Sequence, residues 1–385
     1  MAHQKDNSRK IPAPASAESR APSEEGQNDT LPFPQETLDL ATTIMHKRFA
    51  LLDTGIPAIA ALLESASLEL ANKFANEKDI PARYFVSPDP VDEEFCLNPA
   101  SKAAMLASGE KIGTLPSIFY ALLDVVSSRF SSSSDIAAII AKDPALSAKL
   151  LRLINSPFYG LRHPVDNISR AVAIVGNGPL TMLTMGTVLI SSFNKVPTSL
   201  LDMRSFWLHC IATSIFARVL ASRNKMVNLE HFFITGLLHD IGRLLIFITP
   251  SSCALHLMMD SHRRLVPMHQ IEKEVLGFSH EELASDFLES WNCPPIIIEG
   301  ILNHHAPLDT RVTLQNAILP VANTLATAMG YGSSGSFLLP AVNEYALTLV
   351  GVTPETLPAI VAEAHQTIET MSAALLAHEG SDHPS

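Results

Sequence analysis

The sequence predicts an all-α fold, a multi-helical bundle with a short helical N-terminal extension. Two observations predict it. Apolar residues recur at the spacing of one helix face along several segments, as Leu146, Leu150, Leu153 and Ile154 do. In addition, residues 232–247, FFITGLLHDIGRLLIF, contain two apolar runs that are too dense for an exposed helix. Because 47% of the 385 residues are hydrophobic, the chain can bury a sizeable core.

The composition excludes some classes of partner and site. The net charge of −12 and the isoelectric point of about 5.6 argue against a nucleic-acid-binding surface, which would need clustered Lys and Arg. The first residues contain no apolar signal core, so we expect a cytoplasmic protein. The four cysteines lack CxxC spacing, so neither a disulfide framework nor a zinc ribbon is predicted.

Residues 312–343 carry no charged side chain and are the one membrane candidate that the sequence suggests. Two prolines and three glycines interrupt them, with serines among the glycines. We therefore interpret the stretch as two buried helical pieces joined by a Gly/Ser loop, and we expect no membrane partner.

The N-terminal part divides into a disordered and a helical segment. Residues 1–32 contain too few large apolar side chains to fold and are predicted to be disordered. Residues 35–98 are predicted to form a helical extension that ends in a Pro-rich linker. Its first helix starts at Gln35 and its second near Pro57, a favoured first-turn residue. This hairpin is expected to pack on the main domain or on a partner; a sensor region is the functional alternative.

The main domain is predicted to span residues 108–330, and its first half shows several helix boundaries. Asp135 is predicted to cap a helix over 136–142. Asp143 then caps the next helix, with Pro144 in its first turn. Asn155 could be a site residue, but its position at a helix end favours a cap that satisfies the loop backbone.

Histidines are frequent in the second half of the main domain. A buried helix over 205–223 contains His209. Ser279 and Glu282 have the spacing of a capping box for a helix that starts at His280. A charged segment lies between these two helices. Its histidines have no ligand spacing and are predicted to be exposed: His256, His262 and His269. Residues 331–385 are predicted to form a C-terminal helical segment with a helix over 353–379 and a frayed tail.

His239 and Asp240 form the one polar island in the apolar stretch 232–247. A buried histidine beside an aspartate is costly unless each is hydrogen-bonded or bound to a metal. The structural alternative is a core His–Asp pair that holds two helices together. Gly242 lets a backbone or ligand approach closely, and Arg243 adds one cation nearby.

Three blocks of sequence resemble one family. They are DPALSAKLLRLINSPFYG, GLLHDIGRLL and EKEVLGFSHEELASDFLESWNCPPIIIEGILNHHAP. In this order they resemble the HDOD (HD-related output domain) family of the HD metal-dependent phosphohydrolase superfamily. The resemblance implies an all-α HD-superfamily bundle. For His209 a core role and a ligand role are equally open. The implied metal-ligand set is His209, His239, Asp240, His280, His304, His305 and Asn323.

The resemblance also implies what the set would bind. Imidazole and carboxylate ligands suit zinc, iron, manganese or nickel. In two-metal members of the superfamily the HD aspartate bridges the ions, which activate a water and hold a phosphate ester. The implied cofactors are therefore one or two divalent transition-metal ions.

Three departures from the superfamily pattern weaken a hydrolase assignment. Asn323 stands where the superfamily has an aspartate ligand, Arg243 stands where related cyclic-di-GMP phosphodiesterases have lysine, and no GYP triplet follows HDIG. We therefore expect a non-enzymatic signal-transduction module that acts through regulatory protein partners and is gated by a metal or a nucleotide ligand. The alternatives are a metal-dependent phosphohydrolase or cyclic-dinucleotide phosphodiesterase, and a scaffold with a vestigial site.

Overall fold

The fold was obtained as a computed structural model, which describes residues 32–76, 99–112, 117–127, 133–155, 161–193, 201–248, 253–306 and 311–376. Within these ranges every regular element is an α-helix and there is no strand. The prediction of an all-α fold is thereby confirmed. The segment predicted to be disordered, 1–32, lies outside the described residues except for its last residue, and the predicted linker, 79–98, lies outside them entirely.

The helices follow one another in chain order. The first half of the described chain contains α1 (Gln35–Arg48), α2 (Pro57–Asn76), α3 (Lys102–Ile112), α4 (Ser117–Ser127), α5 (Ser133–Ile140), α6 (Pro144–Ile154), α7 (Ile168–Val175), α8 (Asn177–Phe193) and α9 (Met203–Arg223). The second half contains α10 (Leu229–Leu238), α11 (Ile241–Ile248), α12 (Cys253–Arg264), α13 (Met268–Leu276), α14 (His280–Ser290), α15 (Pro295–Leu302), α16 (Leu314–Ala328), α17 (Glu344–Leu349) and α18 (Leu357–Leu376).

The N-terminal hairpin α1–α2 packs on the rest of the bundle. Helix α2 contacts α16 and α18. The buried Arg48 guanidinium donates to the carbonyls of Phe337 (3.1 Å) and Thr327 (3.2 Å). Lys73 donates to the carbonyl of Met329 (3.3 Å). The hairpin thus holds the segment that follows α16, whereas the division of the chain into separate domains stays a prediction.

Two of the predicted capping residues have the expected role, as their hydrogen bonds show. The Asp143 carboxylate accepts the Leu146 N–H (3.0 Å) at the start of α6, as predicted. Asn155 exchanges two hydrogen bonds with the backbone of Val165, at 2.8 and 2.7 Å, which confirms its structural role. Asp135 is not a cap, because α5 already begins at Ser133. A carboxylate stabilises the first turn as well as the cap position, so the sequence alone could not separate the two.

Two predictions about the C-terminal third are partly wrong. Residues 312–343 contain helix α16, but the second helical piece is absent, since residues 329–343 are not helical. Three glycines there, Gly330, Gly332 and Gly335, have positive φ angles of 71°, 66° and 98°, which a helix does not allow. The last helix, α18, begins at Leu357 rather than at residue 353 and ends at Leu376.

Among the described residues, two stretches are long and apolar enough to cross a membrane, and neither is the candidate that the sequence suggests. They are α9 and the stretch Leu229–Ile248, and 78% and 83% of their apolar windows are buried in the bundle. Such burial is expected for the central helices of a bundle. Cys253 is disulfide-bonded, which the cysteine spacing did not predict, because bonded cysteines need only be close in space.

Helix α9 lies at the centre of the bundle and packs against α10, α16 and α18, while α11 packs against α14. Two glycines allow the closest approaches. A Cβ atom at Gly236 would lie 2.6 Å from Cα of Ser214 on α9, and one at Gly242 would overlap the carbonyl of His280 on α14. The turn between α10 and α11, which carries His239 and Asp240, is therefore clamped between α9 and α14.

Candidate metal centre

Three buried histidines direct their Nε2 atoms toward the carboxylate of Asp240. Nδ1 of His239 lies 2.7 Å from the carbonyl of Gly236, and Nδ1 of His304 lies 2.6 Å from the carbonyl of Ile301. A carbonyl can only accept a hydrogen bond, so both rings carry a proton on Nδ1 and leave Nε2 free. Nδ1 of His280 is held in the same way by the carboxylate of Glu272 (2.6 Å). Histidine ligands of metals are oriented by contacts of this kind.

The atoms that surround this carboxylate are mainly hydrogen-bond acceptors. Nε2 of His280 lies 3.3 Å from Nε2 of His304 and 3.1 Å from Oδ1 of Asp240. Nε2 of His239 lies 3.1 Å from Oδ2 of the same carboxylate. Lone pairs at such distances repel each other unless a cation or a proton lies between them. The donor set thus fits a divalent transition-metal ion.

The predicted set comes from separate helices and converges, with His209 on α9, His239 and Asp240 after α10, His280 on α14, and His304 and His305 after α15. His209 Nε2 lies 3.6 Å from Asp240 Oδ2, and neither ring nitrogen of His209 has a hydrogen bond to the residues that the structure describes. Asp240 belongs to two donor groups whose ligand atoms lie within 4.8 Å of one another. The first group is His209, His239 and Asp240; the second is Asp240, His280, His304 and His305. That these residues bind metal stays a prediction.

Asn323 lies beside this cluster on α16. Its side chain is 3% exposed and lines the same cavity as His209 and His305. Its Oδ1 accepts a hydrogen bond from the hydroxyl of Thr327 at 3.3 Å. Its predicted ligand role also stays a prediction.

Sequence reasoning missed two buried carboxylates. Glu272 on α13 has no exposed side-chain surface and accepts from both the backbone N–H (2.7 Å) and Nδ1 of His280. Glu281 Oε2 lies 3.3 Å from the same Nδ1. Both glutamates belong to the block that resembles the family. Glu274 looked equivalent in that block, but it pairs with Arg264 at the surface (2.7 Å).

The prediction that His256, His262 and His269 are exposed is wrong, since all three are half-buried. The ring of His269 stacks on that of His305, with centroids 4.4 Å apart. The ring of His262 stacks on Phe337 at 3.9 Å. His269 and His262 are buried by residues that follow α15 and α16, and helical spacing does not report such contacts.

Arg243 is the cation of the centre. Its Nε lies 3.5 Å from Oδ1 of Asp240 and its Nη1 lies 3.5 Å from Oδ2. Nε also lies 3.9 Å from Oε1 of Glu272, and Nη1 donates to the hydroxyl of Ser334 (2.8 Å). A metal binds the neutral form of an imidazole. In that form, and with Asp240, Glu272 and Glu281 ionised, the three carboxylates and one guanidinium leave two negative charges. One divalent ion neutralises that charge.

Burial and neighbouring charges displace the pKa values of the centre in opposite directions. Burial lowers the pKa of His239 to about 4, against the attraction of Asp240. Burial also opposes protonation of His280, but Glu272, Glu281 and Asp240 together outweigh it and raise the pKa of His280 to about 9, so its proton must leave when a metal binds. For Asp240, the effect of burial is outweighed by Arg243 and His239, which hold its pKa well below the usual range. Opposed shifts among neighbouring groups are typical of functional sites.

A cavity with about 490 Å³ of empty space, partly open to solvent, adjoins the centre. One wall consists of His209, Arg243, His269, His305 and Asn323, and the other of the segment after α16. We call residues 332–341 of that segment the covering loop. Leu339 N–H donates to the carbonyl of Arg48 (3.0 Å), so the N-terminal hairpin fixes the covering loop.

Comparison with known proteins identifies the family. The HDOD domain model matches residues 112–307. The chain belongs to the HDOD domain family. The match includes every predicted ligand except Asn323, which lies beyond it together with the covering loop. The first α-helical hairpin precedes the matched residues.

One curated relative and several solved structures resemble this chain. The chain is 26% identical over 284 residues to an uncharacterized protein of Treponema pallidum (strain Nichols), which covers 68% of this chain and 53% of the relative. The chain thus spans about half the length of that curated relative. An HDOD domain protein of unknown function from Geobacter sulfurreducens has a similar fold, with a TM-score of 0.57, 21% identity, and coverage of 71% of this chain and 97% of that one.

Two further structures share the HDOD fold. A protein of Shewanella amazonensis SB2B, named as a candidate phosphohydrolase, gives a TM-score of 0.55 at 25% identity, over 71% of this chain and 98% of that one. A protein of Marinobacter aquaeolei VT8, named as a candidate signal transduction protein, gives 0.52 at 19% identity, over 73% and 67%. These names describe those proteins.

Proposed function

We propose that this HDOD protein is a regulatory module in signal transduction, whose HD centre holds one divalent transition-metal ion and which acts through protein contacts rather than by hydrolysis. The observation that carries the proposal is the position of Arg243. Its guanidinium lies against both oxygens of Asp240, the carboxylate that would have to bridge two ions in a hydrolase of this superfamily.

Electrostatics favours one ion over two. Two unit positive charges about 4 Å apart repel by about 4 kcal/mol at an effective dielectric constant of about 20. The repulsion between a divalent ion and a guanidinium at that distance is about twice as large. After one ion has neutralised the two net negative charges, no remaining negative charge offsets the repulsion between Arg243 and a second ion. An aspartate at position 323 would add a compensating negative charge, whereas the side-chain amide of Asn323 is neutral.

The bound ion would have its effect through the helices. The ligands of the donor group that includes His280 lie on or directly after α10, α14 and α15, so a single ion in this group would tie three helices together. Such an ion favours the conformation in which those helices are close, and a partner that contacts their outer surfaces would sense the change. When bound, the ion supplies Lewis acidity, but the enclosed centre gives a phosphodiester little access to it.

Metal content and hydrolysis of the full chain test the proposal together. Purified protein is analysed by elemental mass spectrometry and assayed with cyclic di-GMP and bis(p-nitrophenyl) phosphate in the presence of manganese, iron, nickel or zinc. We expect one ion per chain and hydrolysis at the background rate. Two ions per chain together with metal-dependent turnover would overturn the proposal, provided that Asp240→Asn abolishes the turnover and that Asp124→Asn, an exposed control on α4, does not.

A metal-dependent phosphohydrolase is the second candidate. The observation that favours it is the sharing of Asp240 by two donor groups, the arrangement that a two-metal site requires. The name of the Shewanella amazonensis protein points the same way for that protein. The stoichiometry of one or two ions separates the two candidates.

A further inference from the structure

A second pocket opens on the bundle surface at the opposite ends of the helices that lead to the metal centre. It has about 670 Å³ of empty space and lies among the turn before α10, α10 itself, α15 and α16. None of its lining residues is an Asp, Glu, Lys or Arg. Two apolar side chains at its edge are exposed, Val227 at 75% and Ile296 at 40%.

The polar groups of this pocket are few and lack protein partners. The ring of His231 makes no hydrogen bond within the described residues, and its Nε2 is buried. The side-chain amides of Gln315 and Asn316 on α16 likewise have no hydrogen bond to the described part of the chain. A pocket that is mostly apolar, with a few convergent polar groups, is the usual form of a small-molecule site.

The floor of the pocket is the crossing of α10 and α15. Thr235 and Gly300 both line the pocket, and a Cβ atom at Gly300 would lie 2.8 Å from Cγ2 of Thr235. The next residue on each helix, Gly236 and Ile301, supplies the carbonyl that accepts from Nδ1 of a candidate metal ligand. Those ligands are His239 and His304.

We propose that this pocket binds an uncharged, mostly apolar small molecule with a carbonyl or hydroxyl group, and that its occupancy weakens metal binding at the HD centre. The charge-free lining selects an uncharged occupant, because a charged one would lose its hydration without a counter-ion. A carbonyl or hydroxyl group matches the ring nitrogen of His231 and the two amides.

The coupling follows from the shared crossing. A molecule that presses on Thr235 and Gly300 separates α10 from α15 and displaces the carbonyls of Gly236 and Ile301. The imidazoles of His239 and His304 then lose their common orientation, and such orienting contacts control metal affinity about 10- to 100-fold. This coupling rests on the proposed metal at the HD centre, whereas binding in the pocket does not.

Fluorescence titration of the full chain with Nile red, an uncharged apolar dye that carries a carbonyl, tests the pocket. We expect saturable binding of one dye per chain. Gln315→Trp, which places a large side chain at a half-buried lining position, should weaken it at least tenfold. His231→Leu, which keeps the pocket apolar but removes the imidazole, should weaken dye binding several-fold. Gln366→Trp, at an exposed position on α18, is the matched control and should leave dye binding unchanged.

Binding that is not saturable, or that is equal in Gln315→Trp and the control, would refute the pocket. For the coupling, zinc affinity is measured by chelator competition with and without saturating dye. We expect a three- to tenfold weaker zinc affinity with dye, and by reciprocity an equal weakening of dye binding by zinc. Unchanged zinc affinity refutes the coupling. If the chain binds no metal at all, the proposed function and the coupling fail together, while the dye titration still decides the pocket.

Discussion

The two donor groups that share Asp240 have different surroundings. On one side, His209 makes no hydrogen bond through either ring nitrogen and His239 is held by a neutral carbonyl. On the other side, His280 is anchored by the Glu272 carboxylate and lies next to Glu281. A carboxylate partner orients an imidazole and makes it a more basic ligand. The difference teaches that the partners of the histidines, and not only their number, distinguish the two groups, and that the His280 side should hold the single ion.

The largest effect is expected from Asp240→Ala, which removes the carboxylate common to both groups. Arg243 would then lose its closest counter-charge inside the core, and breaking a buried pair costs about 3–5 kcal/mol of unfolding free energy. Chemical denaturation and elemental analysis should show this loss together with the loss of the metal. Asp124→Ala is the exposed control. If Asp240→Ala retained the metal, this would contradict the inference that both donor groups depend on Asp240.

Removal of the metal should have the next largest effect. An ion that binds only the folded chain adds about 2.7 kcal/mol to the unfolding free energy at free metal of about a hundred times its Kd. Tm should therefore fall on treatment with a chelator and recover when zinc is added back. An identical Tm before and after chelation would argue for a vestigial centre.

Glu272→Gln tests the anchored side alone. The amide keeps the shape of the side chain but removes the charge that holds Nδ1 of His280, so zinc affinity should fall about 10- to 100-fold. Glu274→Gln is the matched control on the same helix, because Glu274 pairs with Arg264 at the surface. Equal zinc affinities of the two variants in chelator competition would contradict the role of Glu272.

His209→Ala tests the other side. If the ion is held on the His280 side, zinc affinity should fall by less than about tenfold, below the range expected of an orienting residue. The same chelator competition measures it. A larger loss than in Glu272→Gln would reverse the comparison and place the ion beside His209.

The smallest change is expected from Asn323→Asp. The new carboxylate adds one negative charge near His209 and restores the superfamily's ligand type, so the affinity for a second ion should rise. Elemental analysis should then find more than one ion per chain at high zinc, and hydrolysis should be assayed in the same sample. If Asn323→Asp binds no more metal than the parent chain, the missing charge is not what limits the site to one ion.

Sequence reasoning predicted the family, the helical class and the converging histidines, because these depend on local spacing and on short blocks of sequence. It also predicted the roles of Asp143 and Asn155. Glu272 shows where it failed. Glu272 and Glu274 lie two residues apart in the same block, yet one is buried against His280 and the other pairs with Arg264 at the surface.

The sequence by itself determined that the chain is helical, where α6 begins and which polar residues the apolar stretch 232–247 must bury. Those outcomes depend on atoms within a few residues of one another, such as the N–H of Leu146 and the carboxylate of Asp143. Only the tertiary structure decided that Glu272 anchors His280, that Arg243 reaches Ser334, and that α10 and α15 cross beneath a pocket. Each of these contacts joins residues on different structural elements, and their burial depends on how closely those elements pack rather than on spacing along any one of them.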